Sequence, residues 1–181
     1  MPMREMMQQM MAGVVPSGVS PENLPDPESR GAALLISYCT QCHALPSPRM
    51  HAAAEWPAVV ARMTQRMRMM AGMGRMMMED IRTPAPPEET ALLQYLQDHA
   101  MRAAPAGTVE SDAPGARAFA RVCSQCHAAP DPAQHTAAEW PAIVERMQQN
   151  HRQMGKPLMT DAEIQEIVGF LRASATGAGR R

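Results

Sequence analysis

The chain has 181 residues and a formal net charge of −1, and 45% of its residues are hydrophobic while only 3% are aromatic. It shows neither the clustered basic excess of nucleic-acid-binding proteins nor an apolar run of about 18 residues that would span a membrane. The dominant Ala, Met, Gln, Glu and Arg favour helices over strands. Helical domains below about 80 residues bury little surface, so they usually depend on a metal or a cofactor.

The first half of the chain recurs in the second half after a shift of 84 residues. No gap is needed from residue 31 to residue 70. The first copy then carries about nine extra residues before the match resumes at Tyr95 and Phe170. The best-matched segments are C-T-Q-C-H (39–43) with C-S-Q-C-H (123–127), A-E-W-P-A (54–58 and 138–142) and R-M (62–63 and 146–147). Such a repeat predicts two copies of one supersecondary unit.

The repeat predicts an all-α protein with two tandem domains of three helices each. The expected segments are a Met- and Pro-rich lead (1–27), domain one (28–103), a Pro- and Gly-rich linker (104–113), domain two (114–175) and a flexible tail (176–181). In domain one, helices are expected over 28–39, from Trp56 onward and over 88–100. In domain two, they are expected over 114–123, from Trp140 onward and over 161–173.

Local patterns refine these elements. Thr136 and Glu139 form a capping-box pattern just ahead of an apolar run in domain two. Four prolines are expected to keep the chain extended after the two Cys motifs, namely Pro46, Pro48, Pro130 and Pro132. The first and last helices of each domain are expected to cross at a pair of large apolar residues, Leu35 with Tyr95 and Phe119 with Phe170.

The C-x-x-C-H pattern is typical of covalent haem attachment of the c type. Two thiols three positions apart lie on one side of a turn and can form thioethers with the two haem vinyl groups, and the adjacent His then points at the iron. The sequence predicts two haems c, one held by Cys39, Cys42 and His43 and the other by Cys123, Cys126 and His127. The alternatives are a Cys₄ zinc site and disulfide redox pairs. A single zinc ion would need neither the His after each pair nor the repetition of whole domains around it.

With these motifs the chain resembles a tandem class I cytochrome c, which has an N-terminal helix, C-x-x-C-H and a C-terminal helix with an aromatic residue. It resembles in particular the short modules that read C-x-x-C-H, then E-W-x-x-V-x-R-M, then E-x-x-x-I-x-x-Y-L. The resemblance covers 28–103 and 114–175 and leaves out the Met-rich lead and insertion. It implies haem folds, electron transfer and iron held by His and Met. The chain departs from the commoner class I pattern because no Met-Pro loop precedes the last helix.

The sixth iron ligand has to be sought among 19 methionines. Two haems that are built alike would take this ligand from the same place in both copies. Met63 and Met147 recur without a gap and match the place where the resembling modules keep their Met, so they are the preferred distal ligands. Met70 and Met154 recur one heptad later among less similar neighbours and are the second choice, whereas Met159 has no Met counterpart. The structural alternative is that these methionines only fill gaps in the core.

Histidine and tryptophan also recur after each Cys motif. His51 and His135 offer ligation by two histidines, which requires the chain to fold back over the haem only eight residues after the proximal His. A histidine in this place more often bonds a backbone carbonyl or a haem propionate. Trp56 and Trp140 are expected to pack against the haem with the indole N–H on a propionate or a carbonyl, or else to serve core packing alone.

Fourteen methionines form two clusters, six within residues 1–11 and eight within 63–78. Thioethers select Cu(I), so a copper-handling protein is one alternative. The preferred interpretation is a flexible apolar surface that covers the haem edge or docks a partner. Five arginines lie between 62 and 82, and this Arg/Met-rich edge (62–82) either suits an acidic redox partner or is a solvated helix face.

The sequence therefore predicts a soluble dihaem c-type cytochrome that carries single electrons between a donor and an acceptor protein and is not an enzyme. A dihaem peroxidase is the enzymatic alternative, but it requires an open iron position and an acid–base constellation. Cysteines are joined to haem outside the cytoplasm, so a periplasmic location is expected. The N-terminus has no apolar core and carries Glu5, so an export signal is expected to be missing from this mature or trimmed chain.

Overall fold

The computed structural model describes residue 9 and the ranges 15–73, 81–108 and 111–178. Within these residues the chain forms no strand, so the predicted all-α class is confirmed. The helices are α1 (Arg30–Cys39), α2 (Trp56–Met73), α3 (Pro86–Asp98), α4 (Ala116–Cys123), α5 (Trp140–Gln153) and α6 (Asp161–Ala178). None of them is long and apolar enough to cross a membrane. The six methionines of the lead, Arg75 and Met76 to Met78 lie outside the described residues.

The chain divides into two compact units, Met1–Met101 with helices α1 to α3 and Arg102–Arg181 with helices α4 to α6. The second unit begins with a short paired segment. The Ala104 N–H donates to the Ala129 carbonyl at 2.7 Å, and the Asp131 N–H donates to the Arg102 carbonyl at 2.8 Å. This pairing ties the chain before α4 to the residues that follow the second Cys motif.

In the first unit, α1 begins where the Ser29 side chain accepts the Ala32 N–H at 3.1 Å, a typical N-cap. The helix then crosses α3 with Gly31 against Tyr95. A Cβ added to Gly31 would lie 2.3 Å from the Cβ of Tyr95, so only glycine allows this close approach. Leu35 and Tyr95 belong to the same buried cluster, as the sequence predicts for the helix crossing.

In the second unit, α4 crosses α6 in the corresponding way. The rings of Phe119 and Phe170 lie 5.1 Å apart, which confirms the predicted crossing contact. Gly115 caps α4 with a φ of 81°, and an added Cβ would lie 2.2 Å from the carbonyl oxygen of Glu166. Glycine is therefore required here both for its left-handed backbone and for the space it leaves to α6.

A polar bond joins the first and last helices of each unit, with different chemistry in the two copies. In the first unit, the Tyr38 hydroxyl donates to the Glu88 carboxylate at 2.8 Å. In the second, the Arg121 guanidinium donates to the Glu163 carboxylate. The Thr160 backbone N–H and then Arg121 lower the pKa of Glu163 to about 2, so this carboxylate stays ionised at neutral and mildly acidic pH.

Two local predictions need correction. Pro46 and Pro130 lie outside any helix or turn, but Pro48 and Pro132 each begin a short 3-10 turn, because a proline φ also suits the first position of a helical turn. Thr136 and Glu139 do bond, since the Glu139 carboxylate accepts the Thr136 N–H at 2.8 Å. The helix itself begins only at Trp140, so this bond closes the turn ahead of α5 rather than capping it.

Candidate functional site

Both Cys motifs lie at the C-terminal end of the first helix of their unit. Cys39 is the last residue of α1 and Cys123 is the last residue of α4. The rest of each motif forms the turn that follows. In the first unit the Thr40 hydroxyl donates to the Ile36 carbonyl at 2.7 Å, and in the second Ser124 donates to the Ala120 carbonyl in the same way. The hydroxyl residue between the cysteines thus satisfies a terminal helix carbonyl and fixes the turn.

Burial raises the pKa of the first thiol in each motif, Cys39 and Cys123, to about 12, and the nearby Cys42 contributes to this rise at Cys39. A thiol with such a pKa is almost wholly protonated at neutral pH. Disulfide exchange uses the thiolate, and catalytic dithiols accordingly have a lowered pKa. This environment therefore disfavours the disulfide redox pair. Within the described residues, no group of three or more His, Cys, Asp or Glu side chains converges as a metal site.

The histidines that end the motifs share one orientation. Nδ1 of His43 lies 2.7 Å from the Ala44 carbonyl oxygen, and Nδ1 of His127 lies 2.7 Å from that of Ala128. A carbonyl oxygen only accepts, so this contact assigns the proton to Nδ1 and the lone pair to Nε2. Histidines that bind a metal usually hold their second ring nitrogen in this way, because it fixes the tautomer and the ring direction.

The two tryptophans are core residues bonded to the chain just after each motif. Trp56 donates its indole N–H to the Pro48 carbonyl at 3.0 Å, and Trp140 donates to the Pro132 carbonyl at 3.0 Å. Of the two acceptors considered from sequence, the carbonyl is the one observed. His51 and His135 each lie edge-on against their tryptophan at 5.0 Å between ring centres. The 3-10 turn, the Trp and the His therefore form one packed group in each unit.

The candidate distal ligands lie on corresponding faces of α2 and α5, and Met154 is the residue that directly follows α5. In the first unit, Met63, Met67 and Met70 are spaced as one helix face and all three are half-buried. At the matching places of the second unit are Met147, His151 and Met154, of which the two methionines are half-buried and His151 is buried. Each unit thus has one such face, which we call its distal face: positions 63, 67 and 70 in the first unit, and positions 147, 151 and 154 in the second. The preferred pair, Met63 and Met147, and the second choice, Met70 and Met154, all belong to these faces.

Sequence reasoning missed two residues near the distal face of the second unit. Gln148 is buried, and its side-chain amide forms two hydrogen bonds of 2.9 Å with the main chain of Met159. Nε2 donates to the Met159 carbonyl, and Oε1 accepts the Met159 N–H. His151 is 8% exposed, with Nδ1 2.9 Å from the Pro157 carbonyl oxygen. The repeat could have indicated His151, because the shift of 84 residues aligns His151 with Met67.

Comparison of the chain with family models, with curated proteins and with solved structures yields no match in any of the three.

Proposed function

We propose that each unit is a class I-like cytochrome c domain that holds one covalent haem c, and that the protein carries single electrons between redox partners. The observation that carries the proposal is the repeated His contact. His43 and His127, each next to a C-x-x-C pair, hold Nδ1 2.7 Å from a backbone carbonyl oxygen. Fixing Nδ1 in this way would leave Nε2 to bind the iron of a haem.

The residues present fit a haem c in their chemistry. Cys39 and Cys42, and likewise Cys123 and Cys126, are the thiols for the thioether bonds, and the half-buried position of Cys39 and Cys123 suits bonding to an apolar macrocycle. A bound haem c supplies an iron that changes between the ferric and ferrous states by one electron. Trp56 and Trp140 anchor the chain after each motif and exclude water from its surroundings.

The distal face provides the sixth ligand in this proposal. All three of its positions in the first unit are methionines, led by Met63, with Met70 as the second choice. Met147 and Met154 are the thioethers at the matching places of the second unit. A haem iron bound by both a histidine and a methionine would favour electron transfer over chemistry at the iron, because a peroxidase needs one open position. A periplasmic location follows from the thioether chemistry, which takes place outside the cytoplasm.

Reactivity at the iron distinguishes an electron carrier from a peroxidase. The reduced protein is expected to show low-spin haem spectra, to resist carbon monoxide and to pass electrons reversibly to a soluble redox mediator. It should turn over hydrogen peroxide no faster than free haem does. Rapid binding of carbon monoxide to either haem together with peroxide turnover would instead favour the peroxidase alternative.

We propose that an acidic redox partner docks on the α2 part of the Arg/Met-rich edge. Arg62, Arg66 and Arg68 are exposed, and Met69 is 60% exposed beside them. The helix carries no acidic residue, although Arg68 lies 3.7 Å from Glu89 of α3. Arg82, at the end of the edge, bonds Ser37 at 2.8 Å and lies over the Tyr38 ring, so it serves the fold of the first unit.

Reversing the charge at Arg62 and Arg66, both to Glu, is expected to slow electron transfer with an acidic partner about tenfold at low ionic strength, because steering depends on exposed charge. Raising the salt concentration should slow the unmodified protein and remove most of the difference, because a Debye length of about 8 Å screens such charges. Stopped-flow kinetics with the partner measure both effects.

The matched control is Arg146→Glu, since Arg146 of α5 is exposed at the place that corresponds to Arg62. Its rate should stay close to that of the unmodified protein. The copper alternative predicts a different pattern, in which stoichiometric Cu(I) binding is lost when Met67, Met69 and Met70 become Leu. Tight Cu(I) binding together with salt-independent electron transfer would contradict docking at this face.

A further inference from the structure

His151 is a buried polar residue near the end of α5, and the chain folds closely around it. Its Nδ1 lies 2.9 Å from the Pro157 carbonyl oxygen, and its own carbonyl accepts the Lys156 N–H at 2.8 Å. Gly155 allows this return of the chain with a φ of 63°. The imidazole is thus held by the residues that follow the helix, which leaves its ring little freedom to turn.

The histidine rings make several kinds of contact. His51 and His135 pack edge-on against tryptophans, and His99 places Nε2 3.4 Å from Asp26 and its ring 4.7 Å from that of Tyr95. His43, His127 and His151 form one group, because each has Nδ1 within hydrogen-bond distance of a backbone carbonyl oxygen. Two members of this group are the histidines of the Cys motifs, and the third shares their tautomer.

His151 also belongs to the distal face of the second unit. It lies between Met147 and Met154 on this face, at the place that Met67 takes in the first unit. Every distal-face position of the first unit offers a thioether, whereas the second unit offers an imidazole at its most buried distal-face position. Imidazole binds both ferric and ferrous iron, and its Nε2 is the stronger donor toward ferric iron.

We propose that His151 is the sixth ligand of the second haem, so that this haem has two histidine ligands while the first has His and Met. This inference rests on the proposed function, because it requires a haem in the second unit. A thioether ligand raises the reduction potential relative to an imidazole. The second haem is then the lower in potential, and electrons pass from the second unit to the first. The partner that docks on α2 of the first unit is accordingly the electron acceptor.

The unmodified protein provides the first test, before any substitution. In its oxidised form, the weak red charge-transfer band of a Met–Fe(III) pair should have the intensity of one haem per chain, and low-temperature electron paramagnetic resonance should show two different low-spin haems. A redox titration should give two separate steps. Two equivalents of the Met–Fe(III) band would overturn the proposal.

Variants then identify the ligand. His151→Met should raise the Met–Fe(III) band about twofold and move the lower potential step up toward the higher one. His151→Ala should open the second iron to carbon monoxide, and added imidazole should restore the low-spin spectrum. The matched control Gln149→Ala, at an exposed residue of the same helix, should leave both haems unchanged. If Met147→Leu opens the second iron while the His151 variants keep unmodified spectra, His151 only holds the chain after α5, and the proposal is wrong.

The intact mass separates this failure from failure of the proposed function. A chain that carries two haems but has two methionine ligands refutes only the role of His151. A chain that carries no haem on the second unit refutes both.

Discussion

Replacing Cys39 and Cys42 by Ser is expected to remove one haem from each chain and to leave the other haem unchanged. Both thioether bonds of the first haem are lost, whereas Cys123 and Cys126 belong to a separate compact unit with its own core. Intact mass after acid–acetone extraction should exceed that of the polypeptide by two haems in the unmodified protein and by one haem in the variant. The reciprocal pair, Cys123→Ser with Cys126→Ser, should lose the other haem.

Gln125→Ala is the control, because Gln125 is exposed and lies within the second motif without contributing a thiol. Its mass should keep both haems. Loss of both haems from either cysteine pair variant would mean that the two motifs hold one shared group. A mass equal to the bare polypeptide in the unmodified protein, with bound zinc in its place, would establish the Cys₄ alternative and end the cytochrome proposal.

Gly115→Ala is expected to destabilise the second unit by about 3 kcal/mol, which is large against the stability of a small domain. The added Cβ would meet the Glu166 carbonyl oxygen at 2.2 Å. About 1–2 kcal/mol of the loss comes from the backbone strain of alanine at a φ of 81°. Gly31→Ala should act on the first unit in the same way, because Tyr95 lies 2.3 Å from the added Cβ. The free energy of unfolding in urea, followed by far-UV circular dichroism, measures both effects.

The chain offers a control glycine on a helix of each unit. Gly72 in α2 and Gly169 in α6 are exposed, and an added Cβ at either meets nothing within 4 Å. Alanine at these places should stabilise its helix by about 0.5–1 kcal/mol, since it restricts the unfolded chain without a clash. Equal stability losses at all four glycines would contradict the close approach of the crossing helices.

The units are alike in backbone but differ in the residues that fix their polar contacts. Glu88 and Glu163 lie at matching places, but Tyr38 donates to the first and Arg121 to the second. Met67 corresponds to His151. The same crossing of helices is thus held once by a neutral donor and once by a charged one. Under the proposed function, such differences would give each unit its own reduction potential and its own partner.

The sequence by itself determined the elements whose cause is local. The shift of 84 residues and the helical spacing of apolar residues predicted six helices, and the starts at Trp56, Trp140 and Asp161 are confirmed. Proline in the first turn of α5 and the C-x-x-C-H spacing act over a few residues, so their consequences can be read without knowledge of the rest of the chain. The same holds for the position of each Cys motif at the end of a helix.

Only the tertiary structure decided which groups meet across the fold. The bond of Tyr38 to Glu88 spans 50 residues, and its partners are set by the angle at which α1 and α3 pack, which no local pattern encodes. The carbonyl acceptors of Trp56 and His151 likewise depend on how the chain returns over a helix. Short-range sterics fix a helix within its own residues, but a side chain finds its distant partner only after the buried faces of the helices have packed together.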